Sequence, residues 1–221
     1  MKIAFIGLGV MGYPMASHLA QHQDFELRVH NRTPEKAQRW TQNHPGHYAG
    51  TLAEAVDGVD AVITCVGADD DLRALYAGDQ GIIARSPEGA LLIDHTTASA
   101  TVTRELAEVA SMRRQQWVDA PVSGGQQGAE NGQLTIMCGG RKKAFERART
   151  IMEPYARVTH YMGAIGNGQL TKMVNQIAVA GILEGLAEGI HFAQHTGLDT
   201  EAVLEAISGG AAQSWQMDNR A

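Results

Sequence analysis

Lys2-Ile3-Ala4-Phe5-Ile6-Gly7-Leu8-Gly9-Val10-Met11-Gly12 opens the chain, and the order of residue types in it decides the fold. Lys2–Ile6 is a short, almost wholly apolar run, which predicts a buried strand. Met11–Gln21 then reads as a helix. Between them the glycines are spaced G-x-G-x-x-G. Gly7 permits a tight turn, Gly9 lets a ligand approach the backbone, and Gly12 lets helix and strand pack closely. An anion is then favoured on the free N–H groups at the helix N-terminus. In this strand–loop–helix context the spacing predicts a dinucleotide loop contacted through Gly7, Leu8, Gly9, Val10, Met11 and Gly12. The alternative is a glycine turn with no ligand.

The alternation continues outward from that unit. Glu26–His30 reads as a second strand. Thr33-Pro34-Glu35 starts a helix, with Thr33 as N-cap and proline at the first helical position. Thr51-Leu52-Ala53-Glu54 is a capping box. Asp60–Val66 and Leu91–Asp94 are strands covered on both faces, and a helix follows over Thr101–Arg114. Trp117–Ala120, Gln133–Cys138 and Val158–Tyr161 complete the strands, the later ones antiparallel or mixed. Strand–helix alternation at this spacing predicts an α/β, Rossmann-type, doubly wound and mostly parallel sheet. The character changes near Ala164–Gly168. Beyond it Leu170, Val174, Ile177, Ile182, Leu186 and Ile190 keep helical spacing. Gly181, Gly185 and Gly189 recur on one face, as a stripe for another helix to pack on. Residues 1–164 therefore read as a nucleotide-binding domain, and 165–221 as a long interdomain helix and the start of an all-α domain.

The end of the second strand chooses the nucleotide. A site for NAD usually carries an acid there to hold the ribose 2′-hydroxyl. Here the residues are His30-Asn31-Arg32-Thr33. An arginine pairs with a 2′-phosphate, and Asn31 and Thr33 offer further hydrogen bonds to it. The reading is NADP, with NAD as the second choice; the plain alternative is a solvated Arg32.

Composition narrows the partners. The 221 residues carry 18 Lys+Arg against 24 Asp+Glu, a net charge of −6. That field attracts neither nucleic acid nor an anionic membrane. Gly7, Gly9, Gly12 and Pro14 break the apolar helix a signal peptide needs. No apolar run reaches the ~18 residues of a membrane span. The two cysteines, Cys65 and Cys138, make no disulfide framework. A cytoplasmic protein with reduced thiols is the expectation.

Two further segments complete a pattern. Asp119-Ala120-Pro121-Val122-Ser123-Gly124-Gly125 and Gly166-Asn167-Gly168-Gln169-Leu170-Thr171-Lys172-Met173-Val174-Asn175-Gln176 resemble the β-hydroxyacid dehydrogenase family. That family includes 3-hydroxyisobutyrate dehydrogenase and the tartronate, glyoxylate and succinic semialdehyde reductases. Gly7–Ala16 and Ile93-Asp94-His95-Thr96-Thr97 are similar to two more of its signatures, so the resemblance runs along the whole chain.

The resemblance implies hydride transfer between NADP(H) and a small β-hydroxyacid or its semialdehyde. Carbonyl reduction also needs a proton on oxygen. Lys172 and Asn175, at i and i+3, share a helix face. The resemblance gives Lys172 the acid/base role and Asn175 an orienting role, with Gly168 leaving room above that face. An apolar cleft would lower the lysine's pKa toward neutrality. Gln176 departs mildly from the asparagine often found there. Ser123, Gly124 and Gly125 offer a hydroxyl and free N–H groups as a cradle for the substrate carboxylate; a simple turn is the alternative. The resemblance also places Val66 and Gly67 beside the cofactor, a looser match because relatives often have Leu-Pro there. Thr97 falls at the nicotinamide half. For Met11 a core-packing role fits as well as a cofactor contact.

Other constellations fall away. His18 and His22 at i, i+4 lack a third metal ligand and the glutamate of a zincin. Asp69-Asp70-Asp71 fits a helix N-terminus, which favours acids. Gly139-Gly140-Arg141-Lys142-Lys143 lacks P-loop spacing and reads as a solvated helix start. No metal is expected. Two other functions stay open: a cofactor-binding module without catalysis, and an imine reductase, which usually replaces the lysine. Family chains continue through more helices to a second lysine in a Lys-Asp-Leu segment, which this sequence does not contain. The expectation is a homodimer or higher homo-oligomer through the long helix, completing the site or covering its apolar face.

Overall fold

The computed structural model describes residues 1–221. Two compact units divide it, Met1–Lys172 and Met173–Ala221.

The first unit is built on nine strands: β1 (Lys2–Ile6), β2 (Glu26–His30), β3 (His47–Tyr48), β4 (Ala61–Thr64), β5 (Leu91–Asp94), β6 (Gln116–Asp119), β7 (Val122–Ser123), β8 (Leu134–Gly140) and β9 (Ala156–Tyr161). The sheet order is β3-β2-β1-β4-β5-β6-β8-β7, and β9 pairs with β8. The six strands β1 to β6 are parallel, in the order of a doubly wound dinucleotide-binding sheet. The expected reversal comes at β8, which runs antiparallel to β6 and β7 and parallel to β9.

Eight helices connect these strands: α1 (Gly12–Ala20), α2 (Pro34–Asn43), α3 (Leu52–Val56), α4 (Asp69–Tyr76), α5 (Ile82–Arg85), α6 (Ala100–Met112), α7 (Gly125–Glu130) and α8 (Lys142–Met152). They cover both sheet faces, so each strand sends alternate residues to different cores. Ile3 and Phe5 join Met15, Leu19 and Trp40 on one side. Ala4 and Ile6 join Val62, Leu72 and Tyr76 on the other. This is why the strands read as continuous apolar runs.

Sequence reading misses the two-residue strands β3 and β7 and the one-turn helix α5, which are too short to show a period. The capping box at Thr51 forms: Thr51 Oγ1 accepts from Glu54 N at 3.2 Å, and Glu54 Oε2 accepts from Thr51 N at 3.3 Å. Thr33 precedes α2 as expected, but its side chain makes no capping bond; Pro34 at the first helical position sets the start.

The helix α9 (Asn167–His195) runs through the boundary between the units. Over its most apolar 18 residues the mean hydropathy is 1.2, enough to cross a membrane by length and composition alone. Glu184 and Glu188 still interrupt it, so no uninterrupted apolar run reaches that length. The second unit adds α10 (Thr200–Ser208) and α11 (Trp215–Arg220). Asp199 caps α10, its Oδ1 accepting from Glu201 N at 3.0 Å. No atom comes within 4 Å of a β-carbon built on Gly181, Gly185 or Gly189. The expectation that a helix packs on this stripe is therefore not met within the chain. The stripe instead lines an apolar groove of about 480 Å³ with Val203, Leu204 and Met217.

Candidate functional site

The carboxyl ends of β1, β2 and β4 meet at a groove of about 470 Å³. Gly7 turns with φ +100°, and a β-carbon there would lie 2.2 Å from the Cys65 carbonyl oxygen. A β-carbon on Gly12 would lie 1.9 Å from the Gly7 carbonyl oxygen. Neither position admits another residue without moving backbone. Gly9 has nothing within 4 Å, so its backbone faces open space. Closed glycines on either side of an open one suit a bound pyrophosphate at the N-terminus of α1.

The loop is held in shape by the end of β2. Gly7 N donates to the His30 carbonyl at 3.0 Å, and Leu8 N donates to Asn31 Oδ1 at 2.8 Å. The other end of that amide donates to the Thr33 carbonyl at 2.9 Å. Asn31 is thus bonded at both ends inside the loop rather than held out toward a phosphate. Leu8 is buried in the core, Met11 packs half-buried against it, and Val10 is exposed. Arg32, Thr33, Val66 and Gly67 line the groove. So does Lys36, which sequence reading missed; three residues after Thr33, it turns back over the same opening.

A buried network joins the groove to α9. Thr96 Oγ1 accepts from Val66 N at 3.1 Å, and Thr96 N donates to Asp94 Oδ1 at 3.1 Å. The Gln169 side chain donates to the Thr96 carbonyl at 2.6 Å and accepts from Ala98 N at 3.1 Å. Asp119 caps the helix start: Oδ1 accepts from Gly166 N at 2.8 Å and Oδ2 from Gln169 N at 3.0 Å. Burial raises the Asp119 pKa, and these backbone donors oppose the rise. Thr96, Asp119 and Gln169 lie inside the sequence motifs, where spacing alone gives them no role. The signal that marks Gln169 is its position three residues before Lys172, on the helix face turned to the sheet.

The room expected above Lys172 at Gly168 is absent. A β-carbon there would lie 2.4 Å from the Met137 carbonyl oxygen and 2.7 Å from that of Asp119. Gly168 is buried and lets the helix touch the sheet end. Lys172, one turn on, is half-buried, and desolvation lowers its pKa. Asn175 lies one turn further, its amide donating to Gln176 Oε1 at 3.0 Å. Ser123 stands in β7, half-buried. Gly124 and Gly125 follow it, exposed, with φ of +135° and +60°. Thr97 is exposed beside buried Thr96.

Other polar groups have structural partners. The His18 ring nitrogen Nε2 lies 3.1 Å from the Ala129 carbonyl, while His22 stacks on Phe25. Asp69 accepts from Ser99 N at 2.8 Å, and Asp71 Oδ2 from Ala68 N at 3.2 Å. His95 is buried, bonded to the Ala120 carbonyl at 2.6 Å and the Tyr155 hydroxyl at 2.8 Å. Both cysteines are free, and desolvation pushes each thiol up to about 12.

Residues 2–163 match the NAD-binding domain of 6-phosphogluconate dehydrogenase. Residues 166–221 match a second family, described as the NAD-binding region of NADP-dependent 3-hydroxyisobutyrate dehydrogenase. An uncharacterized oxidoreductase of Shewanella frigidimarina is 53% identical over 219 residues, 99% of this chain and 75% of that protein. The solved structure of Mycobacterium tuberculosis 3-hydroxyisobutyrate dehydrogenase with L-serine is 32% identical and superposes with a TM-score of 0.88. The match covers 97% of this chain and 72% of that one. Psf3 in complex with NADP+ and 2-OPP also superposes at 0.88, with 26% identity and 98% and 76% coverage. The chain thus spans about three quarters of the length of these relatives.

Proposed function

The chain belongs to the β-hydroxyacid dehydrogenase family of NAD(P)-dependent enzymes, and from that premise we propose that it interconverts a small β-hydroxyacid and its semialdehyde, with Lys172 as acid and base. The observation that carries this reading is one chain of contacts. Gln169, on the first turn of the helix bearing Lys172, is bonded to Thr96, which also holds Val66 at the wall of the groove.

The residues present fit the nucleotide. Its pyrophosphate would lie on Gly9 and the N-terminus of α1, with its adenosine end toward Arg32, Thr33 and Lys36. We assign NADP as the preferred form because the end of β2 offers Arg32 in place of an acid. When bound, the nicotinamide supplies or accepts the hydride.

The chain's own groups do the rest. In reduction Lys172 gives its proton to the carbonyl oxygen as that oxygen gains charge; in oxidation the neutral amine takes it back. Desolvation helps, because it lowers the lysine's pKa and so eases loss and regain of the proton. Asn175 orients the same substrate oxygen. Ser123 Oγ and the exposed N–H groups of Gly124 and Gly125 hold the substrate carboxylate, a task suited to backbone freed by positive φ. We also propose that two copies pair through α9, whose Val174, Ile177 and Phe192 are exposed. A monomeric mass in light scattering at micromolar protein would refute that pairing.

The enzymatic reading is tested by following reduced nicotinamide absorbance. NADPH and NADH are each offered with glyoxylate and with succinic, methylmalonic and tartronate semialdehydes, for the native chain and Lys172→Ala. Turnover that is abolished by Lys172→Ala, with NADPH binding retained, supports the assignment. Equal turnover by both proteins refutes it.

A further inference from the structure

Arg32 does not stand free at the groove. Its Nη1 lies 3.2 Å from Asp71 Oδ1. The two residues come from different walls: Arg32 follows β2, and Asp71 sits in the first turn of α4, after β4. Both line the groove.

The aspartate is held from beneath, since its second oxygen accepts from Ala68 N at 3.2 Å. Gly67 makes the space for it: a β-carbon there would lie 2.0 Å from Asp71 Oδ2 and 3.0 Å from its Cγ. Any other residue at 67 displaces this carboxylate. The neighbouring acids are engaged elsewhere, Asp69 with Ser99 and Asp70 with Arg73. Asp71 alone faces Arg32, and Lys36 is the other charged group at the opening.

We infer that Asp71 moderates the preference for NADP by competing with its 2′-phosphate for the Arg32 guanidinium. The inference rests on the reading that Arg32 receives that phosphate. An NADP molecule must displace the carboxylate and then lie beside its negative charge. NAD carries a hydroxyl there and leaves the Arg32–Asp71 pair closed across its ribose. The pair is exposed, and an exposed pair is weak, so the phosphate can open it. Asp71 therefore narrows the preference for NADP without reversing it.

Calorimetric titration of the full chain with NADP+ and with NAD+ tests this. Asp71→Asn removes the charge and keeps an acceptor for Ala68 N. It should tighten NADP+ by about twofold to fivefold, the scale of an exposed charge pair, and leave NAD+ within about 1.5-fold. Gly67→Ala, which expels the carboxylate by contact, should shift NADP+ in the same direction. In an Arg32→Ala background the gain from Asp71→Asn should shrink, because only the repulsion between carboxylate and phosphate is then relieved. If Arg32→Ala weakens NADP+ but Asp71→Asn does not tighten it, the competition is wrong and the Arg32 reading stands. If Arg32→Ala leaves NADP+ unchanged, both are overturned.

Discussion

Gln169 Nε2 donates to the Thr96 carbonyl oxygen at 2.6 Å, a fully buried bond between residues 73 positions apart. Through it the helix that carries Lys172 shares a residue with the loop lining the nucleotide groove. Gln169→Leu would leave the Thr96 carbonyl and the Ala98 N–H without partners. Each orphaned buried group costs about 1–3 kcal/mol. A stability loss of about 2–6 kcal/mol is expected in urea unfolding. Catalytic turnover should fall further than NADP+ affinity, because the groove itself is built by other residues.

Lys172 supplies a pH signature. Its pKa is lowered by desolvation, and in the acid/base role proposed for it reduction needs its protonated form. Carbonyl reduction should therefore fall with rising pH through a limb below the ordinary lysine value of 10.5, and oxidation should rise through the same limb. Lys172→Arg holds its proton far above that range. A profile of kcat/KM that keeps the same limb in the arginine variant would assign it to another group.

Two adjacent buried residues, Asp94 and His95, push stability in opposite directions. Burial raises the Asp94 pKa from 3.8 to about 7, against the hydrogen bonds from Thr96 and Thr64. Its contribution is present below pH 3.8 and is lost as pH rises through 7. Burial lowers His95 from 6.5 to about 4. Its contribution is present above pH 6.5 and is lost as pH falls toward 4. Between pH 4 and 6.5 the two slopes largely cancel. Thermal unfolding should show Asp94→Asn losing stability as pH falls through this window, and His95→Gln losing it as pH rises. Equal slopes in both variants would contradict the pairing.

The glycine loop leaves no space for a methyl group at position 12. Gly12→Ala sets a β-carbon against the Gly7 carbonyl oxygen, a fixed backbone atom. Overpacking of this kind costs about 1–3 kcal/mol. Both nucleotides should weaken together, which calorimetry separates from the selective effect expected at Arg32.

Most of the parallel sheet was legible because strands covered on both faces spell themselves out as apolar runs. Ile3–Ile6, Ala61–Thr64 and Leu91–Asp94 are such runs. The glycine loop was legible because sterics leave few alternatives at Gly7 and Gly12. Networks are harder to read. The spacing of Gln169 from Lys172 hints at an inward face, but its partners Thr96 and Ala98 lie far away in sequence and cannot be read from it. Arg32 could be noticed alone, but its pairing with Asp71 depends on two loops meeting in space. Gly168 shows the same limit: its small size was right, but the backbone of Met137 and Asp119 fills the room read as open.

Strand β8 holds the sheet together by a narrow seam. Only Gly139 and Gly140 pair with β6, and only Ile136 and Thr135 pair with β7. The six parallel strands are thus joined by few backbone pairs to the short strand that carries Ser123 and leads into Gly124 and Gly125, although they share a core. If that turn holds the substrate's acid group as proposed, substitutions in it would alter substrate recognition with little change in the backbone pairing of the parallel strands. A single scaffold can in this way diversify over substrates while keeping one redox currency.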